Sequence, residues 1–404
     1  MRILCTTFPW PSHHFPMVPL EWACQAAGHE VLVASTPSLT DVILRSGMPA
    51  VAVGKDVEMA PVSPARRRTA RHSQRQWPDR WPMHPELLDD RQRELVAAVG
   101  RIHIGMAEAM VDDLIEVARG WRPDLILHDA LSYAGAVTAA VLDVPNASSL
   151  WGAPGPQRAE MRDFRAEPLP EYADLYAARN VSIRNMPTAW IDPCPPAIRL
   201  PIDGRCMPVR YVPYNGPGAV PDWLFEQGAR PRVCVTWGAT EAKLGAAPTD
   251  LVRTVLRATA GLDVEVVLAT TEQMRDELGE LPAGVRVAID LPLKYLLPGC
   301  AAVVHHGGAG TTLTAGINGV PQLIISTRPE PALIGSRWAA AGAGRHLVAA
   351  ELSAGEQATV DILRAELALV LHESSYREGA ESVKAGMLAT PSPAELVGSL
   401  EQLV

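Results

Sequence analysis

Twice along its 404 residues the chain alternates short, nearly all-apolar runs with amphipathic ones, and this rhythm constrains the fold more than any other feature. In the first half, residues 2–7, Glu30–Ser35, 49–53 and 124–127 read as strands, the last running on into His128-Asp129. Residues 17–27 (stopped by Gly28), 39–45 and 84–119 read as helices, and 9–16 as a loop. In the second half strands fall at 232–237, 264–269, 285–289, 301–305 and 322–326, with helices between. A continuous apolar strand is covered on both faces, which a parallel sheet between two helix layers provides. Residues 55–83 interrupt the rhythm as an irregular excursion rich in Pro, Arg and Trp. A proline-rich stretch, 185–231, interrupts it again, and fixed φ makes such a stretch a semi-rigid connection. A chain of this length exceeds what one core usually spans. The expected fold class is therefore α/β, with two doubly wound, Rossmann-like domains at 1–212 and 231–404 joined by a linker at 213–230. No repeat of 20–50 residues competes with that reading.

Composition narrows the partners. Net charge is −9, whereas a nucleic-acid phosphate backbone calls for clustered basic surface. The basic run Arg66-Arg67-Arg68 with Arg71 sits among Pro61, Pro64 and Ser73 and reads as a solvated loop. The six cysteines show no CxxC or Cys/His metal spacing, and several lie in apolar runs such as Val233-Cys234-Val235. They read as small buried hydrophobes in a reducing compartment. The first residues run straight into a strand without a signal-peptide pattern, and no segment of about 20 apolar residues occurs. The expectation is a soluble, cytoplasmic protein with no membrane span and no nucleic-acid partner.

The sharpest local signal is AAVVHHGGAGTTLTAGINGVPQLII, residues 301–325. A strand runs through His305-His306 into Gly307, Gly308 and Gly310, and Thr311-Thr312 opens a helix that stops near Asn318-Gly319. Glycines let backbone N–H groups approach an anion, and a helix N-terminus adds partial positive charge, so a diphosphate suits this turn. Tight packing produces the same pattern. The loop holds no lysine and no G-x-G-x-x-G, which disfavours a P-loop nucleotidase and a dinucleotide reader. In the first half, His13 follows the first strand and Asp129 ends the strand 123–129, where open parallel sheets bind ligands. An imidazole ionises near neutrality, and a carboxylate behind it fixes its tautomer. Either residue could instead be a packing histidine and a helix cap. His14 is the adjacent competitor, although the following Phe15-Pro16 spacing favours His13. Trp10, Trp22, Trp77, Trp81 and Trp151 could line an apolar pocket or simply pack.

HHGGAGTT followed by NGVPQLII resembles the donor-binding motif of family-1, GT-B-fold glycosyltransferases, above all the actinobacterial enzymes that decorate polyketides and related antibiotics. The likeness spans the chain: the MRILCTTF opening, AAGHEV, RPDLILHDA, VRYVPYNGP with PDWL, and PRVCVTWGAT. It implies two domains facing a central cleft and an inverting transfer of a sugar from a nucleotide diphosphate to a small hydrophobic aglycone. His13 then corresponds to the catalytic base and Asp129 to the acid orienting it. His305, or His306 one residue on, would contact the diphosphate, with Gly307, Gly308, Gly310 and Thr311 around it and Thr236 and Gly238 adding donor contacts. The pattern is broken at Asp290, where plant members stack a Trp on the base, leaving backbone around Leu291–Leu293 (Leu291, Leu293) to hold it. Glu330-Pro331 replaces Asp-Gln at the sugar, so Glu330 can serve but the Gln contact is missing. Leu313 stands where plant members place a ribose-binding Glu, which is compatible with a TDP-deoxysugar donor. No cofactor and no metal are expected, since helix terminus and histidines can neutralise the leaving group; Asp89-Asp90 and Asp112-Asp113 read as solvated helix faces. The resemblance also implies that a C-terminal helix at 392–404 returns to the first domain. A homodimer and an activator protein stay open as partners. The rival readings are a sugar-nucleotide epimerase of the same architecture and a non-catalytic sugar-nucleotide-binding partner protein.

Overall fold

The computed structural model describes residues 1–57, 77–155, 158–162, 167–226, 228–238, 249–352 and 355–404; the basic run at 66–68 with Arg71 lies outside them. The first half forms a seven-stranded sheet of β1 (Arg2–Thr6), β2 (Glu30–Ser35), β3 (Ala50–Ala52), β4 (Leu125–Asp129), β5 (Asn146–Ser149), β6 (Ala189–Asp192) and β7 (Cys206–Pro208). The second forms a six-stranded sheet of β8 (Arg232–Thr236), β9 (Glu265–Thr270), β10 (Val285–Ile289), β11 (Ala302–His305), β12 (Gln322–Ser326) and β13 (Gly344–Val348). Their orders are β3-β2-β1-β4-β5-β6-β7 and β10-β9-β8-β11-β12-β13. Every registered pairing is parallel. Both orders reverse direction once, between β1 and β4 and between β8 and β11. The helices diverge there, leaving a crevice beyond the carboxyl ends of the strands.

Apolar strands end up where two-sided burial demands. Ile3, Leu4 and Cys5 of β1, Leu125 to Leu127 of β4, and Val233 to Val235 of β8 are wholly buried. All six cysteines are free, and all but Cys206 are fully buried. The long helix Asp90–Trp121 begins at Asp89, whose carboxylate accepts from Gln92 N at 2.7 Å while Gln92 answers the Asp89 N–H. Asp89 is thus a capping residue, not part of a solvated helix face. Among the described residues no helix is long and apolar enough to cross a membrane.

The structure departs from the sequence reading in identifiable places. Residues 9–16 are not all loop: Pro11–His14 forms a single helical turn with proline at its start, where fixed φ suits a helix and no N–H is lost. The proline-rich stretch contributes β6 and β7 to the first sheet. Pro208 is tolerated because β7 is an edge strand, where a missing N–H costs the ladder nothing. β5 was invisible because its sequence, NASS, is polar although every residue is buried. The helix Pro393–Glu401 lies in the first half's core, with Leu396, Val397 and Leu400 packed in one cluster with Leu20 and Cys24.

Candidate active site

The first half supplies an acid–base pair. β1 passes through Phe8 into the Pro11–His14 turn, closed by Phe15 N donating to Pro11 O at 2.9 Å. That turn points His13 across to the end of the neighbouring strand β4, where its Nδ1 lies 3.0 Å from Asp129 Oδ2. The Asp129 carboxylate is therefore engaged by the imidazole, and the next helix, Tyr133–Leu142, begins after Ser132. The end of β4 is itself pinned. His128 Nδ1 donates to Asp129 O at 3.0 Å, and its Nε2 accepts from Asn146 Nδ2 at 3.0 Å. Burial is the largest single influence on His13 and would lower its pKa. The charge and hydrogen bond of Asp129, joined by the charge of Glu330, outweigh it, so the imidazole is held above its ordinary value.

His14 turns the opposite way into the core, with Nε2 3.1 Å from Ser46 Oγ, and burial lowers its pKa to about 4. Of the five tryptophans the sequence nominates, Trp10 and Trp151 stand against His13, with ring centroids at 6.1 and 6.0 Å. Trp22 packs on Tyr214, and Trp77 and Trp81 on each other. The sequence reading missed His103. It lies on the buried face of the long helix, 6.5 Å from His13 and 4.7 Å from Phe8 between centroids. Burial first, then His13, lowers it to about 3.

The second half supplies a glycine-lined helix terminus. β11 ends at His305, Gly307 takes φ +88°, and the helix Ala309–Ile317 starts after Gly308. The two histidines, His305 and its alternative His306 as the expected diphosphate contact, have different surroundings. His305 is wholly enclosed: its Nδ1 accepts from Gly307 N at 3.1 Å and its Nε2 donates to Gln322 Oε1 at 2.8 Å. Gln322 Nε2 in turn donates to Thr312 O at 3.0 Å. Both ring nitrogens are spent inside the protein, so His305 is a strut of the loop. His306 lies between the two glycine turns: a Cβ on Gly238 would meet its Cε1 at 3.1 Å, and one on Gly308 its Nε2 at 2.6 Å. Its Nδ1 has no hydrogen-bond partner among the described residues. Burial, with the positive charge of Arg328 second, lowers its pKa to about 3, so the ring is neutral.

Around His306, Thr236 closes β8 and Gly238 follows with φ +66°. Thr312 and Thr314 return their hydroxyls to Gly308 O and Gly310 O; Thr311, in the first turn, has no such bond among the described residues. Leu313 is not where the resemblance put it. It is 1 % exposed, faces Gly152, and packs with Ile324 and Trp338, so it lines no ribose site. The next residue, Thr314, meets the linker and the residues just before it: Tyr211 Oη lies 3.3 Å from its Oγ1 and Asn215 Nδ2 donates to it at 3.1 Å. Asn215 Oδ1 also accepts from Lys294 N at 2.9 Å, tying this helix to the turn carrying Leu291 and Leu293. Leu291 is buried with Leu296 and Leu297, while Leu293 opens the short helix Leu293–Leu296. Glu330, in the first turn of Pro329–Ala340, accepts from Trp151 Nε1 at 2.7 Å across the gap between the halves. Tyr211, Asn215 and Gln322 carry no chemical signature in sequence, which is why reading by motif passed over them.

Two all-parallel sheets, one offering a histidine–carboxylate pair and the other an anion-receptive helix terminus, define a GT-B glycosyltransferase. The chain matches the family described as erythromycin biosynthesis protein CIII-like, through its N-terminal domain over residues 22–238 and its C-terminal domain over residues 253–403, and belongs to that family. TDP-daunosamine transferase DnrS of Streptomyces peucetius is 37% identical, over 100% of this chain and 97% of its own. The 10-deoxymethynolide desosaminyltransferase of Streptomyces venezuelae is 36% identical over the same shares. Among solved structures, glycosyltransferase VinC in complex with dTDP superposes with a TM-score of 0.82 at 33% identity, covering 100% of this chain and 99% of that one. The spinosyn rhamnosyltransferase SpnG complexed with thymidine diphosphate gives 0.80 at 28% identity, covering 99% and 100%.

Proposed function

We propose that the protein transfers a deoxysugar from a TDP-sugar to a hydroxyl of a polyketide aglycone in antibiotic biosynthesis, with inversion at the anomeric carbon. The observation that carries this reading is the His13–Asp129 contact at 3.0 Å, at the switch point of one sheet, with the His306 turn at the switch point of the other. With the Nδ1 proton donated to Asp129, the Nε2 lone pair of His13 is left to take the acceptor's proton. The acceptor oxygen attacks the anomeric carbon as the bond to the diphosphate breaks, and a single displacement inverts that carbon. Negative charge developing on the departing diphosphate meets the N–H groups opening the helix Ala309–Ile317, the His306 ring, and the nearby Arg328 charge.

The donor assignment draws on the relatives, since Leu313 no longer argues for it: one is named a TDP-daunosamine transferase, and VinC and SpnG hold thymidine diphosphate. Glu330 is the sugar-facing acid of this reading, and the acceptor is placed against the first half beside Trp10, Trp151 and His103. Nothing among the described residues favours the epimerase or the non-catalytic reading. The test is a thermal-shift panel followed by product analysis. A ligand at 100 times its Kd stabilises by about 2.7 kcal/mol, so TDP should raise the melting temperature clearly, UDP less, and NAD not at all. Incubation with TDP-deoxysugars and polyketide aglycones should give a glycoside of inverted configuration. Free sugar or an epimerised nucleotide as the sole product would overturn the proposal.

A further inference from the structure

Behind the base lies a second acid–base pair with no part in the mechanism above. Glu21, in the first turn of the helix Val18–Ala26, is fully buried, as is His14, the last residue of the turn that carries His13. Glu21 Oε1 stands 3.8 Å from His14 Nδ1. Among the described residues His14 Nδ1 has no hydrogen-bond partner, and the Glu21 carboxyl has only the buried Cys5 thiol of β1. Buried polar atoms rarely go unsatisfied, and two that face each other call for a shared explanation.

Counting donors supplies it. Ser46 Oγ donates its single hydrogen to Ile43 O at 2.7 Å, so towards His14 Nε2, at 3.1 Å, it can only accept. The proton of neutral His14 is therefore on Nε2, and Nδ1 presents a bare lone pair to Glu21. An ionised Glu21 would set an anion against that lone pair in a site without water-exposed surface; a protonated one offers the missing donor. Of the other groups facing the pair, the Cys5 thiol can hydrogen-bond Glu21, but it leaves the His14 Nδ1 lone pair without a donor. The Cys5 thiol from β1 and the Cys24 thiol on the same helix are pushed up by burial, Cys24 to about 12, and Glu401 of the C-terminal helix is half exposed. His13 points away to Asp129.

We propose that the Glu21 carboxyl keeps its proton opposite the His14 Nδ1 lone pair, and that this proton holds the Pro11–His14 turn in the register that aims His13 at Asp129. Glu21 is thus a positioning residue for the base, an inference that rests on the reading of His13 as base. Burial raises Glu21 to about 8. Stability from the protonated carboxyl is complete below its unfolded value and is lost as pH rises towards 8. Loss of that proton should displace the turn and give transfer an alkaline limb.

The test needs no substrate: record imidazole 15N shifts of the full chain, labelled at histidine, from pH 5.5 to 9.5. His14 should show the Nε2–H tautomer up to pH 7.5. Its Nδ1 shift and the His13 resonances should then move together with a common midpoint near 8. Glu21→Gln, whose amide still donates, should abolish the His14 transition and leave His13 only its own protonation step, which Asp129 sets. Glu21→Leu, which cannot donate, should displace the His13 resonances at every pH. An Nδ1–H tautomer at His14, a His14 transition surviving in Glu21→Gln, or His13 shifts unmoved while His14 responds would each overturn the proposal. The wild-type spectra alone decide the first and last of these, so a variant that fails to fold leaves it testable. Loss of transfer activity in His13→Ala belongs to the base assignment and is read separately.

Discussion

Replacing His306 and His305 separately by alanine should produce opposite phenotypes. His306 fits between Gly238 and Gly308 with a free ring nitrogen and faces the helix terminus, so its removal deletes a donor to phosphate. A hydrogen bond to a charged group contributes about 1.5–3 kcal/mol, which corresponds to roughly 10- to 150-fold in the Kd for TDP. The fold should be affected less than by His305→Ala, since among the described residues the ring makes no hydrogen bond and gives up only its packing beside Trp237 and His305. His305→Ala strands two buried groups, the Gly307 N–H and the Gln322 carbonyl, and leaves a cavity at a fully enclosed site. An unsatisfied buried group costs about 1–3 kcal/mol, and two with a cavity come to roughly 3–5 kcal/mol. At about 2–4 °C per kcal/mol, the melting transition should fall by roughly 10 °C. Calorimetric titration with TDP and scanning calorimetry of both variants separate the effects. If His306→Ala binds TDP as the wild type does, while His305→Ala keeps its melting temperature and loses the nucleotide, the division of roles is wrong.

Four further outcomes follow from the same geometry. His13→Ala should cut turnover by roughly 10²–10⁴-fold while TDP affinity, measured by titration, stays at the wild-type value. Asp129→Asn removes the charge that raises His13; because a base works deprotonated, the acid limb of kcat/KM should move to lower pH while the plateau falls. Glu330→Gln should shift that limb in the same direction by a smaller step, since Glu330 contributes less to His13 than Asp129 does, and a limb moving to higher pH would contradict it. Gly308→Ala drives a Cβ to 2.6 Å from His306 Nε2, so TDP affinity should drop about tenfold with the helix Ala309–Ile317 intact by circular dichroism.

Burial pattern made much of the architecture readable from sequence. Runs such as ILC in β1 and VCV in β8 have no polar face, so only a sheet covered on both sides can hold them. The glycine turn after β11 was readable because glycine identity dictates backbone: Gly307 and Gly238 adopt positive φ that other residues resist. His13 and Asp129 were nominated because each ends or follows a strand beside the switch in order, a position fixed by topology.

What sequence could not decide was direction. Adjacent residues point to opposite sides of a strand and about 100° apart on a helical turn, and HHGG and SHHF each carry two histidines of identical chemistry. Only packing reveals that His305 is spent on Gly307 and Gln322 and leaves His306 to the loop, or that His14 faces Ser46 while His13 faces Asp129. The same one-residue ambiguity turned Leu313 into a supposed ribose neighbour when its side chain belongs to the core beside Gly152. β5 and β7 were unreadable for a related reason. Asn146-Ala147-Ser148-Ser149 is polar and Pro208 lacks the N–H of an interior strand, and each segment is a strand because its neighbours supply partners or because it lies at an edge. Sequence by itself determined which segments must be buried and where the backbone must bend. Which ring nitrogen faces the cleft depends on distances between residues far apart in the chain, and those exist only once both sheets have closed.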